Sequence, residues 1–281
     1  MKKSVFGFNL RACLVLAGSM ALTGLAAAQT CAPKVPASEL VKPGTLVMST
    51  NPTLPPMQFV DSAGVLKGMR ITLGDEIAKR LCLKPEYIKI EFSAMVPGLQ
   101  SGRWDLINTG IFWTEERAKI MQMIQYEAQA VSISVAKGNP LKISKPEDLA
   151  GRTVGVELGG FEERKLKELD DMLKAKGLKG INIRTFDNFA TAYQALRAGQ
   201  TEASVTIDST GAEYAKRGEF DRAISGLFPT PVALALKSTV LANAVVGVFN
   251  DMQKDGTYAK LMSEYGLLAN KDPIKVNGPS K

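Results

Sequence analysis

Hydrophobic positions recur along this chain with two alternating spacings. After Gly44, Leu46-Val47-Met48 is an apolar run of strand length, and Leu73, Ile77 and Leu81 then repeat at helical spacing. Tyr87 to Phe92 alternates as a strand, Met95 to Ser101 reads as a short amphipathic helix, and Trp104 to Asn108 reads as a strand after a Gly102-Arg103 turn. Ala130 to Ala136 alternates again and stops at the turn cluster Lys137-Gly138-Asn139-Pro140. A second series follows: strand Arg152 to Glu157, turn Gly159-Gly160, and helix Phe161 to Lys176 with Leu166, Leu169 and Leu173 on one face. Ile181 to Phe186, a helix from Ala190 to Ala198, and strand Ala203 to Ile207 complete it. Leu234 to Leu236 reads as a return strand, and Leu241 to Tyr265 as helices with Leu241, Val245, Val248 and Met252 facing a core; Asn270 to Lys281 is a polar tail. Strands separated by helices predict an α/β fold with parallel pairing and right-handed crossovers. Such sheets bind ligands beyond the carboxyl ends of strands, where Asn51 to Leu54, Phe92 and Thr109-Gly110 fall.

The amino terminus changes the picture of where this fold works. Lys2, Lys3 and Arg11 precede and open an apolar stretch, CLVLAGSMALTGLAAA, that ends in Ala26-Ala27-Ala28, so residues 1–28 read as a secretory signal peptide. Cys31 follows Gln29-Thr30 rather than small residues, which argues for a soluble export product over a lipoprotein. Loss of the three leader cations leaves 32 basic against 28 acidic residues, +4 in place of +7, and no basic block with interleaved aromatics favours nucleic acid. Cys13 leaves with the leader. Cys31 and Cys82 remain, and in an oxidising compartment they are expected to form a disulfide, the other reading being two free thiols.

The chemistry concentrates between Phe92 and Arg117. Thr114 is a candidate N-cap with Glu115 and Glu116 in the first turn, where carboxylates suit the helix dipole. Arg117 sits against that dipole, so it is either a solvated surface residue or a guanidinium held ready for a carboxylate.

The segments PGTLVMSTNPTLPPMQFVDSAGVLKGMRITLGDEIAKRL and FSAMVPGLQSGRWDLINTGIFWTEER, followed by RTVGVELGG and EASVTIDSTGAEYA, resemble the polar amino-acid family of periplasmic solute-binding proteins. These are the ligand receptors of ABC importers, and the likeness covers nearly all of the chain after the leader. It implies a type II two-lobe fold, each lobe a mostly parallel sheet flanked by helices, with a ligand cleft between lobes. Lobe 1 would comprise residues 29–136 and a return segment 233–270, lobe 2 residues 137–232, and 271–281 the tail. By the same resemblance Arg117 holds the ligand's α-carboxylate with backbone amides near Gly110, and Asp208 takes the α-ammonium. Asn51, Leu54 and Phe92 border the ligand from lobe 1, and Glu157, Gly160, Phe161 and Glu162 from lobe 2. Phe92 serves either as an aromatic wall or as a core residue. Glu157 either selects a cationic or hydroxylated ligand group or is a solvated strand end.

Several positions depart from the family pattern. Leu54 and Met57 stand where aromatics are common, Thr72 where an acidic residue is, and Phe112 and Phe161 replace hydroxyl residues. If both rings face the cleft, the pocket exchanges two donors for apolar wall. The leading expectation is a monomeric periplasmic receptor that binds an amino acid or related zwitterion by hinge closure and delivers it to an inner-membrane permease, with no cofactor or metal. The alternatives are a periplasmic lyase or dehydratase using Glu157 or Glu162, and a sensory ligand-binding module. The chain has no histidine and no H-E-x-x-H or CxxC spacing, which weighs against an enzyme.

Overall fold

A computed structural model describes residues 31–279; the expected leader, Cys13 and the last two residues lie outside the described residues. The chain opens with β1 (Thr45–Thr50), which is buried throughout, and a small three-stranded antiparallel sheet of β2 (Thr53–Leu54), β3 (Gln58–Val60) and β4 (Leu66–Lys67). Helix α1 (Met69–Arg80) starts at Gly68, whose φ of +121° and whose approach to the Met57 carbonyl leave no room for a Cβ. Then come β5 (Lys84–Lys89), α2 (Met95–Gln100), β6 (Leu106–Phe112), the single turn α3 (Glu115–Ala118) and β7 (Gln122–Ala136). The next series is β8 (Thr153–Glu157), α4 (Phe161–Ala175), β9 (Asn182–Phe186), α5 (Phe189–Arg197), β10 (Ala203–Ile207) and α6 (Asp208–Lys216). The chain closes with β11 (Phe220–Leu236), α7 (Thr239–Lys254), α8 (Thr257–Glu264) and β12 (Val276–Asn277).

The main sheet has the order β5-β1-β6-β11-β7-β10-β8-β9, with β12 added to β7. Parallel pairing holds on both flanks, β1 with β5 and β6, and β8 with β9 and β10. The centre differs from the expectation of a mostly parallel sheet: β7 and β11 run antiparallel to each other and to β10 and β6. These two strands are 15 and 17 residues long, where the sequence predicts only Ala130 to Ala136 and Leu234 to Leu236. Their hidden parts carry Gln125, Glu127 and Gln129 on one strand, polar positions out of phase with Ser132 and Ser134 beyond them, and Gly226, Pro229 and Pro231 on the other, and they form strand because each supplies the other's partner. The expected boundary between residues 232 and 233 falls inside β11.

Strand β6 also shifts from its expected Trp104–Asn108 span. All seven of its residues are buried, so it reads as a continuous run rather than an alternation, and Gly110 lies within it at φ +81° rather than beyond its end. The tail is not wholly polar in its surroundings: Ile274 is buried and β12 pairs with Met123 and Ile124 of β7. Cys31 and Cys82 are both disulfide-bonded.

Candidate functional site

Seven of the ten expected ligand-binding residues line one small enclosed cavity of about 10 Å³: Leu54, Phe92, Gly110, Phe112, Arg117, Glu157 and Phe161. Strand β2 and the carboxyl end of β6 reach it from one side, and the end of β8 and the start of α4 from the other. Phe189 at the start of α5 and Ile207 at the end of β10 complete its apolar wall; the sequence carries no signal for them beyond their place at element ends.

Arg117 reaches the cavity because α3 is short and firmly started. The Thr114 hydroxyl accepts the Arg117 backbone N–H at 3.2 Å, fixing the turn as the N-cap pattern predicts. Its guanidinium donates to the Phe112 carbonyl at 2.8 Å and lies over the Phe92 ring at 5.3 Å. Burial pulls the Arg117 pKa down to about 10, partly offset by the negative charge of Glu162. Phe92 therefore combines the two readings left open for it, a buried ring that also forms the cavity wall beneath a cation. Phe112 and Phe161 both face the cavity and pack on each other, with ring centroids 4.6 Å apart.

The acidic side of the cavity is formed by Glu157 and Glu162. Glu157 is 2 % exposed rather than a solvated strand end, and its carboxylate accepts from Asn51 Nδ2 at 2.6 Å. Its pKa is raised well above the ordinary carboxylate range by burial, then by the charges of Glu162 and Glu91, against the Asn51 hydrogen bond. Glu162, in the first turn of α4, is buried too; burial pushes it up to about 7 while its own backbone N–H and the charges of Arg117 and Arg70 pull the other way. Glu91 accepts from Asn188 at 3.2 Å, and its second oxygen is buried without a hydrogen-bond partner among the described residues. Glu162 and Glu91 thus both act on Glu157, beside a site that holds one half-buried arginine.

Three expected residues lie elsewhere. Asn51 touches the site only through Glu157. Gly160 opens α4 and borders a neighbouring groove of about 330 Å³, which it shares with Arg117, Phe161 and Arg164. Asp208, expected at a ligand ammonium, does not line the cavity. Its carboxylate accepts from the Ser132 hydroxyl and from Arg222 at 3.0 Å, beside a separate groove of about 840 Å³. Arg222 on β11 satisfies the aspartate locally, a partner that only the unforeseen length of that strand provides. Among the described residues no group of three or more His, Cys, Asp or Glu side chains is placed to hold a metal ion.

The chain is similar in sequence and fold to known proteins. The chain is 30% identical over 232 residues to the L-cystine-binding protein TcyJ of Escherichia coli strain K12, covering 79% of this chain and 82% of that protein. Its fold is similar to that of an ancestral arginine-binding protein bound to arginine, with a TM-score of 0.72, 34% identity, and coverage of 79% of this chain and 98% of that one. It is similar also to an ancestral amino acid-binding protein described as a precursor of cyclohexadienyl dehydratase, with a TM-score of 0.69, 31% identity, and coverage of 79% and 95%. The relatives are thus mainly binding proteins, on the type II periplasmic binding fold. The model of the bacterial extracellular solute-binding proteins, family 3, matches residues 46–267, and the chain belongs to that family.

Proposed function

We propose that this protein is a periplasmic receptor that binds an amino acid with a cationic side chain in the Arg117 cavity and delivers it to the permease of an ABC importer. The observation that carries this reading is the convergence of Arg117 with Glu157 and Glu162 on one phenylalanine-walled cavity. A guanidinium suits an α-carboxylate, and the buried Glu157 carboxylate, held by Asn51 rather than by a protein cation, favours a ligand that brings one. The phenylalanine faces add attraction for such a cation and exclude water from it. Arginine in one structural relative and cystine in a curated one are both amino acids carrying more than one charged group, in keeping with this assignment.

Several further parts belong to the same reading. Residues 1–28 act as a removable leader. Residues 29–136 with 233–270 form one lobe and 137–232 the other, β7 and β11 being the two crossings that bend. A cavity of about 10 Å³ has room for little more than one water, so the ligand enters an open form and the lobes close around it. The receptor works as a monomer without a cofactor.

The test is thermal unfolding of refolded, ligand-stripped protein against L-arginine, L-lysine, L-cystine, L-glutamine, L-glutamate, agmatine and simple carboxylates. Ligand at 100 times its Kd stabilises the folded state by about 2.7 kcal/mol. The reading expects the largest shift with a cationic amino acid and a smaller one with agmatine, which lacks the carboxylate. A shift confined to L-glutamate or simple carboxylates would overturn it.

One observation supports a second reading. Glu162 titrates at about 7 within reach of the Arg117 charge, a poise suited to moving protons on a bound substrate, and one structural relative is named as a precursor of a dehydratase. Turnover of a bound ligand by purified protein, lost in Glu162→Gln, would favour this enzymatic role over the receptor.

A further inference from the structure

Arg70 is absent from the site as the sequence frames it, yet it lies directly behind the cavity wall. Its side chain is fully buried at the start of α1. A Cβ built on Gly110 would stand 2.5 Å from the Arg70 Cζ, so the guanidinium rests against the α-carbon of a cavity residue and fixes the glycine at that position. Each of its three nitrogens donates to a buried partner: Nη1 to Gln58 Oε1 at 2.7 Å, Nε to the Tyr126 hydroxyl at 3.0 Å, and Nη2 to Glu127 at 2.9 Å.

These bonds join a longer chain. Gln58 donates to the Thr109 carbonyl at 2.7 Å and to its hydroxyl at 3.1 Å; that hydroxyl also accepts the Asn51 N–H at 2.9 Å, and Asn51 holds Glu157. In the other direction Glu127 accepts from Gln129, whose amide oxygen receives the Ser209 N–H at 3.4 Å. The chain therefore leaves β8, passes through the ends of β1 and β6, crosses β7, and returns to the start of α6, with Arg70 as its only cation. It meets β7 where pairing with β11 is irregular: the register shifts between Val232, opposite Glu127, and Ala233, and again on the far side around Gly226 and Phe228, both at positive φ.

We propose that Arg70 is a positioning residue that ties the ligand-facing strand β6 to the bending part of crossing strand β7, so that cavity geometry and lobe closure move as one unit. This rests on the reading of the Arg117 cavity as the ligand site. Burial alone would make the Arg70–Glu127 pair a structural feature with no bearing on closure, and a buried pair is by itself weak evidence for stability. The position of the pair distinguishes the two roles, because it sits between a cavity glycine and the irregular stretch of the ladder.

The experiment is a spin-label distance measurement between Lys79→Cys on α1 and Met172→Cys on α4, both at exposed positions, in otherwise wild-type protein, in Arg70→Leu/Glu127→Leu and in Arg70→Lys. The double variant removes both charges together, and Arg70→Lys keeps the charge but loses the fork. The expected result is a broader distribution shifted to longer distance in both variants, with Tm close to wild type in Arg70→Lys, and L-arginine binding weakened at least tenfold wherever wild type binds it. If the double variant does not fold, Arg70→Lys carries the test alone. An unchanged distribution, with or without a fall in Tm, would overturn the proposal. The distance measurement needs no ligand, so failure of wild type to bind L-arginine would count against the ligand assignment and leave this result standing.

Discussion

Arg117 and the two buried glutamates set opposite demands on a ligand. A charge-assisted hydrogen bond of the kind Arg117 offers contributes about 1.5–3 kcal/mol, so Arg117→Ala should weaken binding of a cationic amino acid roughly ten- to hundredfold by calorimetry. Arg117→Lys should recover part of that, since a single ammonium cannot fork onto a carboxylate. Glu162 makes the pH dependence specific. Its folded pKa of about 7 lies above the ordinary 4.5, so its contribution to stability is fully present below about 4.5 and is lost as pH rises through 7. The loss amounts to at most about 3 kcal/mol by the usual conversion. Glu157 adds in the same direction. Ligand-free protein should therefore resist urea better at pH 5 than at pH 8, and Glu162→Gln should flatten that difference. A cationic ligand favours the ionised glutamates, so binding should release protons and tighten as pH rises through 7, measurable by titration calorimetry in buffers of different ionisation enthalpy. Much of this was legible from residue types: Arg117 against its helix dipole and Phe112 beside Gly110 are visible in one line of sequence. The pairing of Asp208 with Arg222 was not, because the two residues meet only through the folding of α6 onto β11.

At the scale of elements, the cavity depends on short pieces with strong local determinants. Helix α3 is one turn long, and its start is held by the Thr114 hydroxyl. Thr114→Ala should cost about 1 kcal/mol of stability, as lost N-caps do, yet lower ligand affinity more than Tm, since the misplaced turn carries Arg117 with it. Strand β6 carries the opposite kind of constraint. Gly110→Ala would place a methyl group against the Arg70 guanidinium at a backbone angle that only glycine adopts easily, at a cost of about 1–3 kcal/mol from the backbone alone. Chemical denaturation should show that loss together with abolished binding. The α/β series is readable from periodicity, with β10 matching its expected bounds, while only short parts of β7 and β11 carry a strand pattern. Alternation reports a strand with one wet face. It fails for strands whose polar residues are satisfied by a buried network and whose prolines are tolerated at an irregular ladder.

For the molecule as a whole, hydrogen bonds around the cavity and its neighbouring groove join segments far apart in sequence. Asn51 reaches Glu157, Asn188 reaches Glu91, and Arg164 reaches Glu116 at 3.1 Å across the mouth of the neighbouring groove. The last pair is exposed and joins α3 to α4. Glu116→Ala should leave Tm unchanged and speed ligand dissociation severalfold in stopped-flow measurements, because it loosens the rim and removes only a minor charge acting on Arg117.

The small β12 strand has a consequence of another kind. It covers the flank of Met123 and Ile124, a stretch of β7 that β10, paired farther along at residues 131–135, does not reach, and Gly278 packs so closely on Gln122 that a Cβ would stand 2.3 Å from its side-chain oxygen. Without that cover, the flank is a bare template of backbone donors and acceptors open to another chain. A version trimmed after Leu268 should keep its fold but self-associate on storage, so residues 269–281 matter less for recognition than for keeping the purified receptor free of aggregates.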